Sequence, residues 1–332
     1  MKTQFLPAVF TIILIVFLID YISGQSAGQQ AAGKKFINAR VTEVVRAKIG
    51  NGQENIGAIS PPEAEAIGPM SFTVSDEGEI YILDQLNSRI QVYRDGKRTE
   101  TIKIPVKSEG IMDIELLSGA KIALLDNTVE KSLFIIDSQG KLINTIPLEG
   151  QLIAYAPEAT EINVVREGKF TGVWVRVNGH SVKLADADGK TAMRVSVPGK
   201  LTFNSERLLD AKILGDITIS LMRSEKGSLS MWEPELTVEF DMFVIHFGGP
   251  WDDRSGNIYL SAFMEDSDEQ GKSTYSNVMV VFSTAMKETG RIKLAVQKAP
   301  YEIFHPVKVS SDGKIYQMIA EKQEIVVLKY EF

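Results

Sequence analysis

One short unit recurs along the chain: four strand-like runs separated by tight-turn residues. In the clearest copy, which begins at Gly68-Pro69, apolar or alternating runs cover 71–74, 80–84, 89–93 and 101–104. The turns contain Asp76-Glu77-Gly78 and Asp95-Gly96. Glycine supplies the positive φ that tight hairpin turns require, and the runs have the length of strands. The unit therefore predicts four antiparallel strands joined by hairpins.

Further copies follow at a regular distance. The second contains strand candidates at 111–114, 121–127 and 132–137, and its Asp126 follows Asp84 by 42 positions. Two later copies begin at Ser255-Gly256 and at Pro306-Val307-Lys308-Val309, and the second contains Asp312-Gly313. Their final strand candidates cover 278–283 and 325–330. A spacing of about 40 to 50 residues is typical of the blades of a β-propeller.

The middle of the chain is less regular. Strand candidates there cover 162–165, 172–177, 181–186, 192–197, 213–220 and 236–240. We expect an all-β fold, a β-propeller of six four-stranded blades, with seven blades as the alternative. The lone strand candidate at 39–49 should share a blade with 325–330 and close the ring, because closure removes exposed sheet edges.

The N-terminal segment differs from the rest of the chain. Lys2 precedes an uncharged apolar run, 5–19, and a tract rich in Gly, Ser, Gln and Ala follows. We predict a hydrophobic helix in residues 1–23 that is a signal peptide or a transmembrane signal-anchor, a flexible linker at 24–37 and the propeller at 38–332. Lys2 should stay in the cytoplasm, which places the propeller outside the cytoplasm. Retention would give an inner-membrane protein with a periplasmic body, and cleavage a secreted or periplasmic bacterial protein.

Composition excludes several classes of function. The net charge is -7, and the basic residues are scattered, so nucleic acid is not an expected partner. The chain has no cysteine, which excludes disulfides, thiolate metal sites, cysteine nucleophiles and covalent haem attachment.

The first unit resembles an NHL repeat. The resemblance rests on Gly68-Pro69, Asp76 and Gly78, the run 80–84, Asn87, 89–93 and Gly96. It implies a propeller and little chemistry, because such propellers include protein-binding platforms, carbohydrate, lipid and RNA binders, lyases and lactonases. Function must therefore be argued from a site.

Several polar and glycine residues of the repeats have a predicted structural role. Short polar side chains at blade turns can bind backbone groups and fix the turn. We assign this role to Asp76, Gly78, Asp84, Asn87, Arg89, Gly96, Asp126, Gly256, Asp312 and Gly313.

The ligand-binding candidates are Trp251, Asp252, Trp232 and His305. Trp251 and Asp252 belong to a predicted loop, 248–253, and propellers bind ligands through loops of one face. In the alternative interpretation Trp251, Trp232 and Trp174 pack between blades. The three histidines, His180, His246 and His305, could converge on the channel or have ordinary structural roles.

Two functions remain as hypotheses. The first is a non-catalytic extracytoplasmic binding or scaffold propeller that recognises a protein or a glycan and needs no cofactor. The alternative is a metal-dependent lactonase-like hydrolase or lyase with a divalent cation such as Ca²⁺ in the channel. Asp113, Asn127, Asn163 and Asp252 would then be candidate ligands. The acidic run 265–269 is predicted to be a solvated hairpin tip, and no catalytic residue is assigned.

Overall fold

The computed structural model describes residues 35–148, 159–166, 168–201, 208–224 and 232–332, without the side chains of 159 and 232–235. The predicted N-terminal helix and the linker up to residue 34 lie outside this part of the chain. The described residues form one short 3-10 helix, Gln85–Asn87, and no α-helix. Among them, no helix is long and apolar enough to cross a bilayer.

In the described ranges, twenty-four strands form six four-stranded sheets, the blades. Blade 1 contains β2 (Phe72–Val74), β3 (Ile80–Asp84), β4 (Arg89–Arg94) and β5 (Lys97–Lys103). Blade 2 contains β6 (Ile111–Leu117), β7 (Lys121–Asp126), β8 (Ser132–Asp137) and β9 (Leu142–Pro147). Blade 3 contains β10 (Ala159–Val165), β11 (Gly172–Val177), β12 (His180–Ala185) and β13 (Ser196–Pro198).

The remaining blades follow in chain order. Blade 4 contains β14 (Lys200–Leu201), β15 (Leu208–Gly215), β16 (Thr218–Ser224) and β17 (Trp232–Glu239). Blade 5 contains β18 (Phe243–Asp252), β19 (Ile258–Ser267), β20 (Ser273–Phe282) and β21 (Glu288–Leu294). Blade 6 contains β22 (Val307–Val309), β23 (Ile315–Glu321), β24 (Glu324–Glu331) and β1 (Arg40–Lys48).

The predicted six-bladed propeller and its closure are confirmed. All strand pairs within the blades are antiparallel, and β1 pairs with β24 from Arg40–Glu331 to Lys48–Glu324. First strands of neighbouring blades contact one another, for example β2 with β6 and β6 with β10. The first strands therefore surround a central channel.

The apolar core is divided among the interfaces between blades. Six buried clusters each combine residues of two neighbouring blades, and together they cover all six interfaces. Between blades 3 and 4, Trp174 lies 1% exposed among Val197, Leu201 and Leu208. Its indole nitrogen donates to the carbonyl of Phe170 at 2.7 Å. Each blade thus depends on its neighbours for burial of its faces.

Three local predictions are wrong. The run 213–220 is not one strand, because the chain turns at Asp216 and Ile217 between β15 and β16. Of the run 192–197, only its end belongs to a strand, β13. The predicted loop 248–253 is mostly the end of β18, where a bulge between Gly248 and Trp251 takes up the extra residues.

Candidate functional site

Charged side chains from the first strands of four blades meet in the channel. Side chains of a strand point alternately to opposite sides, so residues two apart share a side. We name the following five residues the channel cluster: Asp113 and Glu115 on β6, Glu161 on β10, Lys200 on β14 and Lys308 on β22.

Asp113 is the most connected member of the channel cluster. It is fully buried, and its Oδ1 accepts a hydrogen bond from Ser71 at 2.6 Å and lies 3.3 Å from the ammonium of Lys308. Its Oδ2 accepts from the backbone N–H of Ile162 at 2.7 Å. Burial alone would raise the pKa of Asp113, but Lys308, the nearby His305 and these hydrogen bonds outweigh burial, so the pKa lies below its usual value. The carboxylate joins blades 1, 2, 3 and 6 in its charged form.

Lys308 bridges two carboxylates of blade 2. Its Nζ donates to Glu115 Oε1 at 2.6 Å in addition to Asp113, and Glu115 also accepts from the hydroxyl of Thr73 at 2.8 Å. Burial would lower the pKa of Lys308, but Asp113, Glu115 and Glu161 together raise it above its usual value. The ammonium is therefore charged, and it compensates the negative charge of the carboxylates of Asp113 and Glu115.

A second ion pair connects blades 3 and 4. Lys200 Nζ donates to Glu161 Oε1 at 2.6 Å, and the two side chains are 4% and 18% exposed. The same ammonium lies 5.2 Å from the ring centroid of Trp251 on blade 5. Burial lowers the pKa of Lys200, and Glu161 offsets only part of this effect. Burial would raise the pKa of Glu161, but Lys200, His305 and Lys308 bring it below its usual value.

A cavity of about 530 Å³ opens where the first strands begin, and we name it the aromatic cavity. Its polar lining includes Glu161, Ser261, Asn277 and Glu302. Six ring-bearing side chains line it: His246, Phe247, Trp251, Phe263, Phe304 and His305. None of the described residues that line it is a lysine or an arginine. Apolar walls with a few polar groups are typical of sites for small organic ligands.

A smaller polar cavity of about 150 Å³ lies where the first strands end. It is lined by both acidic and basic side chains, including Asp76, Glu115, Arg166 and Lys308. Glu161 and Trp251 line both cavities, so they stand between them.

The structure brings two of the four predicted ligand-binding residues to the aromatic cavity. Trp251 and His305 both line it. Asp252 is buried and lines a separate cavity of about 110 Å³ with Lys200 and Trp251. Trp232 begins β17, and its side chain lies outside the described part of the chain.

The backbone at Gly249 allows Trp251 to occupy this position. Gly249 has φ +95°, and a Cβ there would lie 2.7 Å from the Trp251 ring and 2.9 Å from the carbonyl oxygen of Tyr259. Any other residue would therefore displace the indole from the cavity wall.

The three histidines do not converge. His305 and His246 line the aromatic cavity, whereas His180 is exposed and contacts the carbonyl of Asn178 at 3.1 Å. His305 Nε2 donates to the carbonyl of Thr160 at 2.6 Å and lies 4.0 Å from Asp113 Oδ2. His305 therefore connects the cavity to the channel cluster.

The turn residues of blade 1 form a second buried polar group. Asp84 is fully buried and accepts from the N–H of Gly57 at 2.8 Å, from Asn87 and from Arg89 Nε at 2.7 Å. Asn87 donates to the carbonyl of Gly50, and Arg89 to those of Gly52 and Asn55. A Cβ at Gly57 would lie 2.7 Å from Asp84 Oδ1. We name Asp84, Asn87 and Arg89 the rim cluster, which fastens residues 50–57 to blade 1.

Other repeat residues also lie in turns. Asp126 accepts from the N–H groups of Thr128 and Val129, and Asp312 accepts from Ser310 and pairs with Lys314. Asp76 accepts from the hydroxyl of Ser311 at 3.0 Å. The four glycines predicted to lie in turns, Gly78, Gly96, Gly256 and Gly313, all have positive φ.

The possible metal ligands are dispersed. No group of three or more His, Asp or Glu side chains in the described ranges is arranged to hold a metal ion. Asn163 and Asp252 share the 110 Å³ cavity, whereas Asp113 lies in the channel cluster and Asn127 lines none of these cavities. The acidic run 265–269 spans the end of β19 and the turn into β20, where Asp268 accepts from the N–H groups of Gln270 and Lys272.

Sequence reasoning missed four members of the channel cluster: Glu115, Glu161, Lys200 and Lys308. A signal exists for Lys308, since it stands between two valines in the run Val307-Lys308-Val309. A charged residue is almost never fully buried unless it is paired, so a lysine within a buried strand indicates a partner. No sequence feature indicates that the partner is Asp113, 195 positions away.

No protein-family model matches the chain. No curated protein matches it in sequence. Among solved structures, it is similar to a streptogramin B lyase, with 12% identity and a TM-score of 0.45 over 90% of this chain and 100% of that chain. It is also similar to a virginiamycin B lyase from Staphylococcus aureus, with 12% identity and a TM-score of 0.44 over 88% and 99%. A member of the DUF4221 family from Bacteroides vulgatus has 10% identity and a TM-score of 0.47 over 88% and 98%. These similarities concern the fold alone.

Proposed function

We propose that this chain is an extracytoplasmic binding propeller that recognises an uncharged glycan in the aromatic cavity. The observation that carries the proposal is the cavity itself, about 530 Å³ with six ring-bearing side chains in its lining. Rings pack against the apolar faces of a ligand, while Ser261, Asn277 and Glu161 can bond its hydroxyl groups. The lining described has two carboxylates and no cationic side chain apart from the histidines, which disfavours an anionic ligand.

The bonding of the channel cluster supports a binding role. Each of its carboxylates lies within 3.3 Å of a lysine ammonium. The ion pair with Lys200 fixes Glu161 in the cavity lining, and a rigid lining reduces the entropy lost when a ligand binds. The NHL-like pattern of blade 1 agrees with such a role, because proteins with this repeat include carbohydrate binders.

The apolar run 5–19 supports attachment to the outer face of the inner membrane. The propeller would then stand in the periplasm, next to cell-envelope glycans. A cleaved N-terminus would release the same propeller as a soluble binding protein.

The test is a glycan array probed with the full chain in detergent, followed by calorimetry on the glycan that binds. Trp251→Ala should weaken binding at least tenfold, because a buried aromatic side chain in a ligand pocket usually contributes about 2 kcal/mol or more. Phe332→Ala is the matched control, since Phe332 is 52% exposed and does not line the cavity. Failure of every glycan to bind, or equal affinity of the Trp251→Ala protein, would contradict the proposal.

His305 favours a second candidate function, a hydrolase or lyase acting in the same cavity. An imidazole close to a buried carboxylate is a common arrangement for general acid–base catalysis, and His305 Nε2 lies 4.0 Å from Asp113 Oδ2. If the bound glycan is turned over, His305→Gln should abolish turnover while leaving affinity largely unchanged. Adding a chelator to the same assay distinguishes the metal-dependent form. A ligand recovered intact after long incubation would exclude this candidate for that ligand.

A further inference from the structure

Exposed apolar side chains gather on one side of blades 4 and 5. We define the apolar patch as Ile213, Leu214, Ile217, Phe243 and Ile245, which are between 41% and 51% exposed. Single exposed apolar residues are ordinary on protein surfaces, whereas a contiguous group indicates an interaction surface. The apolar patch therefore indicates a surface that is covered in the functional state of the protein.

Backbone hydrogen bonds hold the patch together. The tip of the β15–β16 hairpin carries Ile213, Leu214 and Ile217, and it lies against the start of β18. The carbonyl of Ile217 accepts from Phe240 N–H at 2.9 Å, and the carbonyl of Asp216 accepts from Val244 N–H at 2.7 Å. These bonds fix the hairpin tip beside Phe243 and Ile245.

The chain enters the propeller beside this patch. The N–H of Arg291 on β21 donates to the carbonyl of Lys35, and the carbonyl of Arg291 accepts from the N–H of Ile37. The Arg291 guanidinium donates to the carbonyl of Glu239 at 2.9 Å and lies 5.2 Å from the ring centroid of Phe240. Phe240 in turn bonds the hairpin tip at Ile217. Residue 35 is thus connected to the patch through Arg291 and Phe240.

Upstream of residue 35 the sequence contains the apolar run 5–19. A chain from Asp20 to residue 35 spans at most about 50 Å even when fully extended. If that run lies in a bilayer, the patch is therefore within reach of its surface. Phe36, which is 54% exposed, adds an apolar ring at the junction.

We propose that the apolar patch inserts into the surface of the lipid bilayer, so that the propeller rests on the membrane on the side where β18 begins. This rests on the membrane attachment given under Proposed function. Because the charged residues that flank the patch include Asp216 and Asp241 as well as Lys212, the patch has no excess of basic residues. Burial of apolar area rather than attraction to anionic lipid therefore drives the contact. The aromatic cavity lies on the same side, since His246 and Phe247 near the start of β18 line it.

The absence of cysteine makes a site-specific test direct. In the full chain reconstituted in phosphatidylcholine vesicles, Leu214→Cys carries a polarity-sensitive fluorophore. Met193→Cys, at a residue of blade 3 that is 83% exposed and outside the patch, is the matched control. We expect blue-shifted emission and at least twofold stronger quenching by brominated lipid at 214 than at 193. Ile217→Ser combined with Phe243→Ser should reduce the signal at 214 toward that of the control.

The outcomes separate the two proposals. A chain that does not float with the vesicles overturns the attachment, and the patch contact with it. A chain that floats but reports equal polarity at 214 and 193 overturns the patch contact alone. Neither result affects the glycan proposal, which is tested by the Trp251→Ala protein in detergent.

Discussion

The rim cluster and the channel cluster are both buried and polar, but the first connects a loop to a blade and the second connects blades to one another. Asp84, Asn87 and Arg89 lie within six positions of one another and bond mainly backbone groups of residues 50–57. Asp113 and Lys308 lie 195 positions apart and bond side chains across the channel. The rim cluster fastens one loop to one blade, whereas the channel cluster joins five of the six blades, four through its own members and blade 1 through Ser71 and Thr73. We therefore expect loss of the first to be local and loss of the second to weaken the whole ring.

The largest effect is expected from Lys308→Met. It leaves Asp113 and Glu115 without the ammonium that both contact, and breaking a buried ion pair by removing one partner usually costs about 3–5 kcal/mol. Urea denaturation should show this loss in the free energy of unfolding. The double variant Lys308→Met with Asp113→Asn is the control, because it also removes the more deeply buried of the two carboxylate charges that Lys308→Met leaves unpaired. It should be more stable than Lys308→Met alone, and a double variant that is less stable would contradict this explanation.

A smaller effect is expected from Asp84→Ala. Removing Asp84 also breaks a buried ion pair, but Arg89 keeps its bonds to the carbonyls of Gly52 and Asn55. We therefore expect a loss of about 2–3 kcal/mol, at the lower end for a broken buried pair. Amide hydrogen exchange should accelerate in residues 50–57 and remain unchanged in β6 and β10. Equal acceleration in β6 would mean that the rim cluster also supports the ring.

The smallest effect concerns acid pH. The folded pKa of Asp113 is below its ordinary value of about 3.9, so the unfolded chain binds more protons near that pH. Its contribution to stability is present above about pH 4 and is lost as the pH falls through the lowered pKa. The difference in unfolding free energy between the native protein and Asp113→Asn should therefore shrink below about pH 4. A difference that stays constant down to about pH 2 would show that the charge of Asp113 is not stabilised by its neighbours.

The sequence predicts the fold well where the signals are local. The Asp-x-Gly turn at Asp76 and Gly78 and the alternation around it predict blade 1, and the spacing to Asp126 predicts its repetition. Closure by the strand at 39–49 is also predictable, because a propeller with a free edge strand is exposed to aggregation. The hairpin at Asp216 is missed because apolar residues flank it on both sides and suggest one continuous strand, although Gly215-Asp216 is a dipeptide typical of hairpin turns.

The site is less predictable because it is assembled from distant segments. Trp251 and His305 stand out by residue type, and both line the aromatic cavity. Glu161 and Lys200 are ordinary charged residues in the sequence, and only the ring arrangement brings the first strands of blades 3 and 4 together. The bulge that places Trp251 in a strand depends on pairing with β19, which no local pattern encodes.

The pairing of β1 with β24 also determines which blade can form last while the chain is being synthesised. Arg40 and Glu331 are partners although 291 positions separate them, so β1 leaves the ribosome long before its partner exists. Five blades can complete their own sheets as they appear, but the sixth must wait for β24. β1 therefore remains without its partner until nearly all of the propeller has been made, and closing such a long loop is a slow step. A chaperone that protects this protein would accordingly be needed most at β1.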